Sequence, residues 1–198
     1  MIVCHRYRFI FLKTSKTAGT SVEIALSRYC GPGGIVTSFS SADERTRSTL
    51  QYQGPANEEI PLLAYGPDDW RRLLFNHKRK KYFNHASAEY VRRYLARKTW
   101  REYFKFTVER NPFDKAVSRY YWSTRNNTPR PPIVDYLSIA SPRKLSNWHI
   151  YTIDNEIAVD RVIRYENLQS ELDDLRQLLH LPGRLQLPMS KSGYRAAK

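Results

Sequence analysis

Residues 13–21, Lys13-Thr14-Ser15-Lys16-Thr17-Ala18-Gly19-Thr20-Ser21, combine lysines, hydroxyls and one glycine in nine positions. That mixture suits an anion. Backbone N–H groups at a helix start point outward and carry partial positive charge. Gly19 lets backbone approach a ligand, Thr and Ser hydroxyls add donors, and Lys16 adds a full charge. An ordinary capped helix start is the plainer reading, and Lys16 with Gly19 weighs against it. A second group is Arg110-Asn111-Pro112-Phe113, with Ser118 eight residues after the arginine. Arginine presents a planar fork that matches a phosphate bidentately. His85, in Lys80-Lys81-Tyr82-Phe83-Asn84-His85, is the third candidate. An imidazole titrating near neutrality can take a proton from a hydroxyl, although most lone histidines are structural or cap a helix.

The elements that must position these groups are readable around them. Tyr7–Leu12 is aromatic and β-branched and reads as a buried strand. Val22, Ala25, Leu26 and Tyr29 recur at helical spacing, with Thr20 or Ser21 as N-cap and Cys30-Gly31-Pro32-Gly33-Gly34 as the stop. Ser87 opens a helix whose inner face carries Val91, Tyr94 and Leu95. Tyr103–Glu109 alternates as a strand, Arg110–Phe113 turns, and Asp114 is expected to cap a helix carrying Val117, Tyr120 and Tyr121. Residues 124–132 form a proline-rich loop. Val159–Tyr165 reads as a strand, and Leu168, Leu172, Leu175 and Leu179 as an amphipathic helix closed by Pro182-Gly183. Loops and short helices are expected over 38–80, and a loosely held tail from residue 188. Strands alternating with helices predict an α/β fold around a parallel sheet.

Composition narrows the function classes. The 198 residues suffice for one domain with a full core, so 1–198 is read as a single domain. A net charge of +14 predicts an anionic partner: nucleic acid, a membrane surface, an acidic polysaccharide or a phosphorylated cofactor. Cys4 and Cys30 form neither a disulfide framework nor a metal-ligand pattern, and a reducing compartment fits them. The run Phe9–Leu12 is too short for a membrane span or a signal-peptide core, so no transmembrane segment and a cytoplasmic location are expected. Lys16 precedes Gly19, whereas the nucleotide-triphosphatase loop places Lys directly after its second glycine, and the strand over 103–109 leads into Arg110 instead of a magnesium-binding acid. A metal-dependent kinase is therefore disfavoured.

Lys16-Thr17-Ala18-Gly19-Thr20-Ser21 closely resembles the 5′-phosphosulfate loop of sulfotransferases that use 3′-phosphoadenosine 5′-phosphosulfate (PAPS), especially their carbohydrate-modifying branch. Residues 108–122, VERNPFDKAVSRYYW, resemble the 3′-phosphate segment of the same family, and DRVIRYENL over 160–168 is also similar. The resemblance spans most of 7–182 and is weakest over 38–80. It implies a P-loop-like three-layer α/β fold with a central parallel sheet flanked by helices. It implies that PAPS is the donor, PAP the product, and no metal is required. Thr17, Ala18, Gly19, Thr20 and Ser21 would hold the 5′-phosphate, Lys16 the transferring sulfuryl group, and Arg110 with Ser118 the 3′-phosphate. His85 would be the general base, as in glycan 2-O-sulfotransferases; Glu23 or Glu89 is the carboxylate alternative used by other branches. The implied acceptor is a carbohydrate or glycoconjugate, and the basic surface would suit an anionic one.

The chain departs from the family in two places. Ser15 stands where the carbohydrate branch often has proline, which predicts a looser loop. Related proteins usually continue beyond the point matched by Lys198, so some acceptor-side structure is expected outside this chain. Two other readings stay open: a P-loop kinase for a small molecule, and a basic nucleic-acid-binding protein using the 14 tyrosines and the cluster at 77–81. No standard nucleic-acid motif supports the latter, and no specific nucleic acid is expected.

Overall fold

A computed structural model describes residues 1–188; beyond residue 188 the expected tail lies outside the described residues. The strands are β1 (Ile2–Cys4), β2 (Phe9–Leu12), β3 (Ile35–Val36), β4 (Phe104–Glu109), β5 (Thr152–Ile153), β6 (Glu156–Ile157) and β7 (Arg161–Arg164). The helices are α1 (Gly19–Ser27), α2 (Ser41–Thr49), α3 (Pro67–Asn76), α4 (Ala88–Tyr94) and α5 (Arg97–Glu102), then α6 (Pro112–Ser123), α7 (Ile133–Ile139), α8 (Pro142–Leu145), α9 (Trp148–Tyr151) and α10 (Leu168–Leu178).

The main sheet has the order β3-β1-β2-β4-β7. Strands β2, β4 and β7 are parallel neighbours, with Phe11 opposite Phe106 and Val108 opposite Ile163. The expected parallel sheet is thus its central part. The difference is β1, which hairpins antiparallel onto β2 and carries β3 antiparallel on its other side. The hairpin turns through Arg8 in the left-handed region (φ 52°), without a glycine or asparagine to announce it in the sequence.

Both faces of the sheet are buried, and the period of two along β2 divides them. Phe9 and Phe11 join Phe106, Val108 and Ile163 under α1 (Val22, Leu26) and α10 (Leu172, Leu175). Ile10 and Leu12 face the opposite way, against Tyr82, Val91 and Tyr94 on and before α4. This gives three layers, helix on sheet on helix. The ring of Phe106 lies 5.2 Å from Phe11 and 5.8 Å from Phe9, at the centre of the α1 side.

Two expected caps are corrected. Helix α1 starts from Ala18 (φ 56°), and no side chain caps it. Helix α6 is capped by Asn111, whose side-chain oxygen accepts from the N–H of Phe113 (3.0 Å) and Asp114 (3.4 Å). Pro112 occupies the first helical position, where its missing N–H costs nothing. Residues 38–80 hold α2, α3 and connecting loops, as expected for that stretch.

Phe106→Ala should lower stability by about 3–5 kcal/mol, the usual cost of emptying a large buried aromatic site. Urea unfolding should show a lower midpoint with little change in slope.

Candidate active site

A cleft of about 690 Å³ opens at the C-terminal ends of β2 and β4. Ligands collect there in α/β sheets because helix N-termini and strand-to-helix loops converge at that edge. Its wall includes Lys16, Thr17, Ala18, Gly19, Thr20 and Ser21 on one side, Arg110 and Ser118 on another, and His85.

The loop between β2 and α1 is built by three devices. Lys16 (φ 65°) and Ala18 (φ 56°) both take the left-handed conformation on either side of Thr17. Such residues make successive N–H groups converge into an anion-binding nest. Gly19 serves the loop itself. A β-carbon there would stand 2.9 Å from Lys13 Cγ and 3.0 Å from the Thr14 carbonyl oxygen. The sequence reading assigned Gly19 to close approach by a ligand; its neighbours show that it also lets the loop close upon its own first residues. The third device is hydroxyl bonding. Thr14 donates to the Val108 carbonyl of β4, and its hydroxyl lies 2.8 Å from that of Thr17. Thr17 is fully buried, so its hydroxyl belongs to the loop.

Ser15 is held from across the fold. Its N–H donates to Asn147 Oδ1 at 3.0 Å, and its carbonyl accepts from Asn147 Nδ2 at 3.1 Å. The same Nδ2 lies 3.1 Å from Glu109 Oε1, which also accepts from Lys115 Nζ (2.9 Å) and from the N–H of Arg110 (2.8 Å). Asn147 and Glu109 therefore tie the 13–21 loop to the Arg110 turn. The family's proline would restrict the loop through its ring; here the Asn147 side chain restrains the Ser15 peptide. The looseness expected from Ser15 is in this way offset.

Lys13 is buried beneath the loop. Its ammonium group lies 3.4 Å from Glu23 Oε2, donates to Asn84 Oδ1 at 3.2 Å, and sits 4.0 Å from the centre of the Phe39 ring. Glu23 is fully buried and also accepts from the Met1 α-ammonium group at 2.8 Å. Burial pushes its carboxyl up, but these positive charges outweigh burial and hold it below the usual range. Glu23 is thus an internal counter-ion, and Glu89 is exposed outside the cleft wall. Neither carboxylate lines the cleft that holds His85.

His85 is exposed on the cleft wall in the left-handed conformation (φ 61°). Its Nδ1 lies 3.0 Å from the Lys13 carbonyl oxygen. A carbonyl only accepts, so Nδ1 carries the proton and Nε2 keeps the basic lone pair. Its crowded surroundings, then the Lys13 charge, lower its pKa to about 4. It is neutral at pH 7.

The opposite pole is cationic. The Arg110 guanidinium carbon lies 4.2 Å from the centre of the Tyr165 ring. Its Nε is buried, with no hydrogen-bond partner among the described residues. A buried guanidinium donor without a partner costs free energy unless a ligand satisfies it. Asp114, Ser118 and Trp122 follow at steps of four along α6 and line the cleft together. Trp122 places its ring 4.6 Å from Lys16 Nζ.

A family model described as "Sulfotransferase family" matches residues 1–152. The chain belongs to the sulfotransferase family. No curated protein and no solved structure matches it significantly. As a member of this family it is a PAPS-dependent transferase enzyme, and its mixed α/β sheet flanked by helices is the family's P-loop-like architecture. PAPS carries negative charge at both phosphate ends. The residues present fit it: an N–H nest with Lys16 at one pole, and the unsatisfied Arg110 Nε beside Ser118 at the other.

The sequence reading missed Asn147, and it gave no separate role to Lys13, Glu109 or Trp122 within the segments it singled out. Asn147→Ala should weaken PAP binding at least tenfold in calorimetric titration, because it leaves the Ser15 N–H unpaired. Adding Ser15→Pro removes that donor and fixes the backbone, and should recover part of the affinity. No recovery would mean that Asn147 does not act through the Ser15 peptide.

Proposed function

We propose that this sulfotransferase moves the sulfuryl group of PAPS to a hydroxyl of a carbohydrate acceptor, with His85 as general base. The observation that carries the reading is one cleft containing an anion nest, an arginine with an unsatisfied buried donor, and a neutral histidine whose free lone pair is on Nε2. The carbohydrate acceptor rests on resemblance to the glycan-modifying branch.

PAPS is the donor substrate and supplies a sulfuryl group attached to a phosphate leaving group. The nest over Lys16–Ser21 binds the 5′ end, and Arg110 with Ser118 binds the 3′-phosphate that distinguishes PAP from ADP. His85 Nε2 takes the acceptor's proton as the acceptor oxygen forms its bond to sulfur. The bond from sulfur to the bridging oxygen breaks, and its electron pair leaves with PAP. Lys16 offsets the charge that grows on that oxygen. Catalysis of this kind depends on positioning and on charge stabilisation by groups already in place.

PAP should bind much more tightly than ADP or AMP without magnesium, and Arg110→Ala should remove most of that preference. Lys16→Ala and His85→Ala should each lower kcat by about 100-fold or more. Near-normal turnover in His85→Ala would remove it from the role of base.

The pH dependence follows from the His85 environment. Its free-enzyme pKa is lowered to about 4, so the base form persists down to that pH. The acid limb of kcat/KM for PAPS should therefore lie near pH 4. Negative charge on the bound donor favours the imidazolium and should move the acid limb of kcat to higher pH. Identical limbs in wild type and a still active His85→Gln variant would contradict the assignment.

A further inference from the structure

A second cleft, of about 630 Å³, lies beside α3, outside the site described above. Arg71, Arg72, Lys80 and Arg93 line it, with Asp68 and Phe75 also on its wall, so the cations outnumber the acids. Its floor is a closed polar unit. The Asp69 carboxylate accepts from Lys80, from the Tyr94 hydroxyl (3.0 Å) and from the Gly66 N–H (3.1 Å). Asp69 and Lys80 thus satisfy each other. Arg71, Arg72 and Arg93 have no ion-pair partner among the described residues, and a neighbouring recess adds Lys78 and also Arg79, which pairs with Glu59 at 3.0 Å.

The same helix exposes large apolar side chains: Phe75 is 77% exposed, Leu74 68% and Trp70 41%. At 100° per residue, Trp70, Leu74, Arg71 and Phe75 occupy one continuous arc of α3. The exposed carboxylate of Asp68 follows Phe75 on the helix surface, and Arg72 lies beyond it. A helix that shows tryptophan, leucine and phenylalanine between arginines has the composition of a segment lying in a bilayer interface.

We propose that the exposed face of α3 and its adjoining cleft dock on an anionic lipid surface. Trp70, Leu74 and Phe75 enter the boundary between headgroups and acyl chains, while Arg71, Arg72 and Arg93 meet phosphate and carboxylate headgroups. Charge complementarity selects this occupant. A second copy of the chain would set arginine against arginine, at a net charge of +14 per copy. A soluble polyanion, whether polysaccharide or nucleic acid, would satisfy the arginines but gives Leu74 no apolar partner. The attachment is peripheral, and no helix of the described residues is long and apolar enough to cross a membrane. The proposal does not depend on His85 or on the nature of the acceptor.

Co-sedimentation of the full chain with vesicles of phosphatidylcholine, with and without phosphatidylserine, tests it. Binding should require phosphatidylserine and fall steeply with salt. Arg71→Gln with Arg72→Gln should weaken binding about thirtyfold, at roughly 1 kcal/mol for each cation near the surface. Leu74→Ser with Phe75→Ser, which leaves the charge unchanged, should weaken it about tenfold or more, and unchanged PAP affinity would verify that this variant is folded. No binding to phosphatidylserine vesicles would overturn the proposal. So would binding that Leu74→Ser with Phe75→Ser leaves undiminished, particularly if heparin or RNA competes equally well for both proteins, because the surface would then be a polyanion site.

Discussion

The active site depends on a loop whose backbone N–H groups must face outward before any ligand arrives. Lys16 and Ala18 take left-handed conformations, each costing about 1–2 kcal/mol for a residue with a β-carbon. Helix α1 also begins without a side-chain cap. An isolated chain would relax such a loop. Here it is fixed on three sides: Gly19 closes against Lys13 and Thr14, Thr14 bonds to β4, and Asn147 grips both polar groups of the Ser15 peptide. The loop backbone is thereby held in this conformation instead of relaxing into local turns.

The same restraints join the two anion poles. Glu109, the last residue of β4, receives the N–H of Arg110, the ammonium group of Lys115 and the amide of Asn147. A shift of the Arg110 turn therefore reaches Ser15 through two hydrogen-bonded side chains. On the other side, Lys13 supports the loop with its stem, neutralises Glu23, and bonds through its carbonyl to His85. Breaking the Lys13–Glu23 pair from one side would leave an uncompensated buried charge, which is far more damaging than never having had the pair.

The parts legible in the sequence were those with strong local signals. The apolar run of β2, the alternation of β4, the helical spacing of α1 and α10, and the two candidate anion-binding segments all appear within short windows, and the structure brings those two segments to one cleft. Strand β1 was missed because three residues, Ile2–Cys4, make too short a pattern and the hairpin turn carries no glycine. The Asn111 cap was legible in principle, since an asparagine directly before a proline at the first helical position is a start signal; Asp114 drew attention because it too favours caps.

Asn147 was not legible, for a physical reason. It acts on a residue 132 positions away, from a stretch between α8 and α9 that has no marked periodicity. Its importance exists only once the fold places it 3.0 Å from Ser15. Ser15 itself was readable as a departure from the family's proline, but the sequence shows only the lost restraint. Its replacement is a side-chain amide that can donate and accept at once, which matches the N–H donor and C=O acceptor of a single residue. A proline fixes one dihedral within the loop, whereas Asn147 fixes the same stretch from outside and couples it to Glu109 and Arg110. The substitution therefore exchanges local stiffness for a restraint shared between both ends of the donor site.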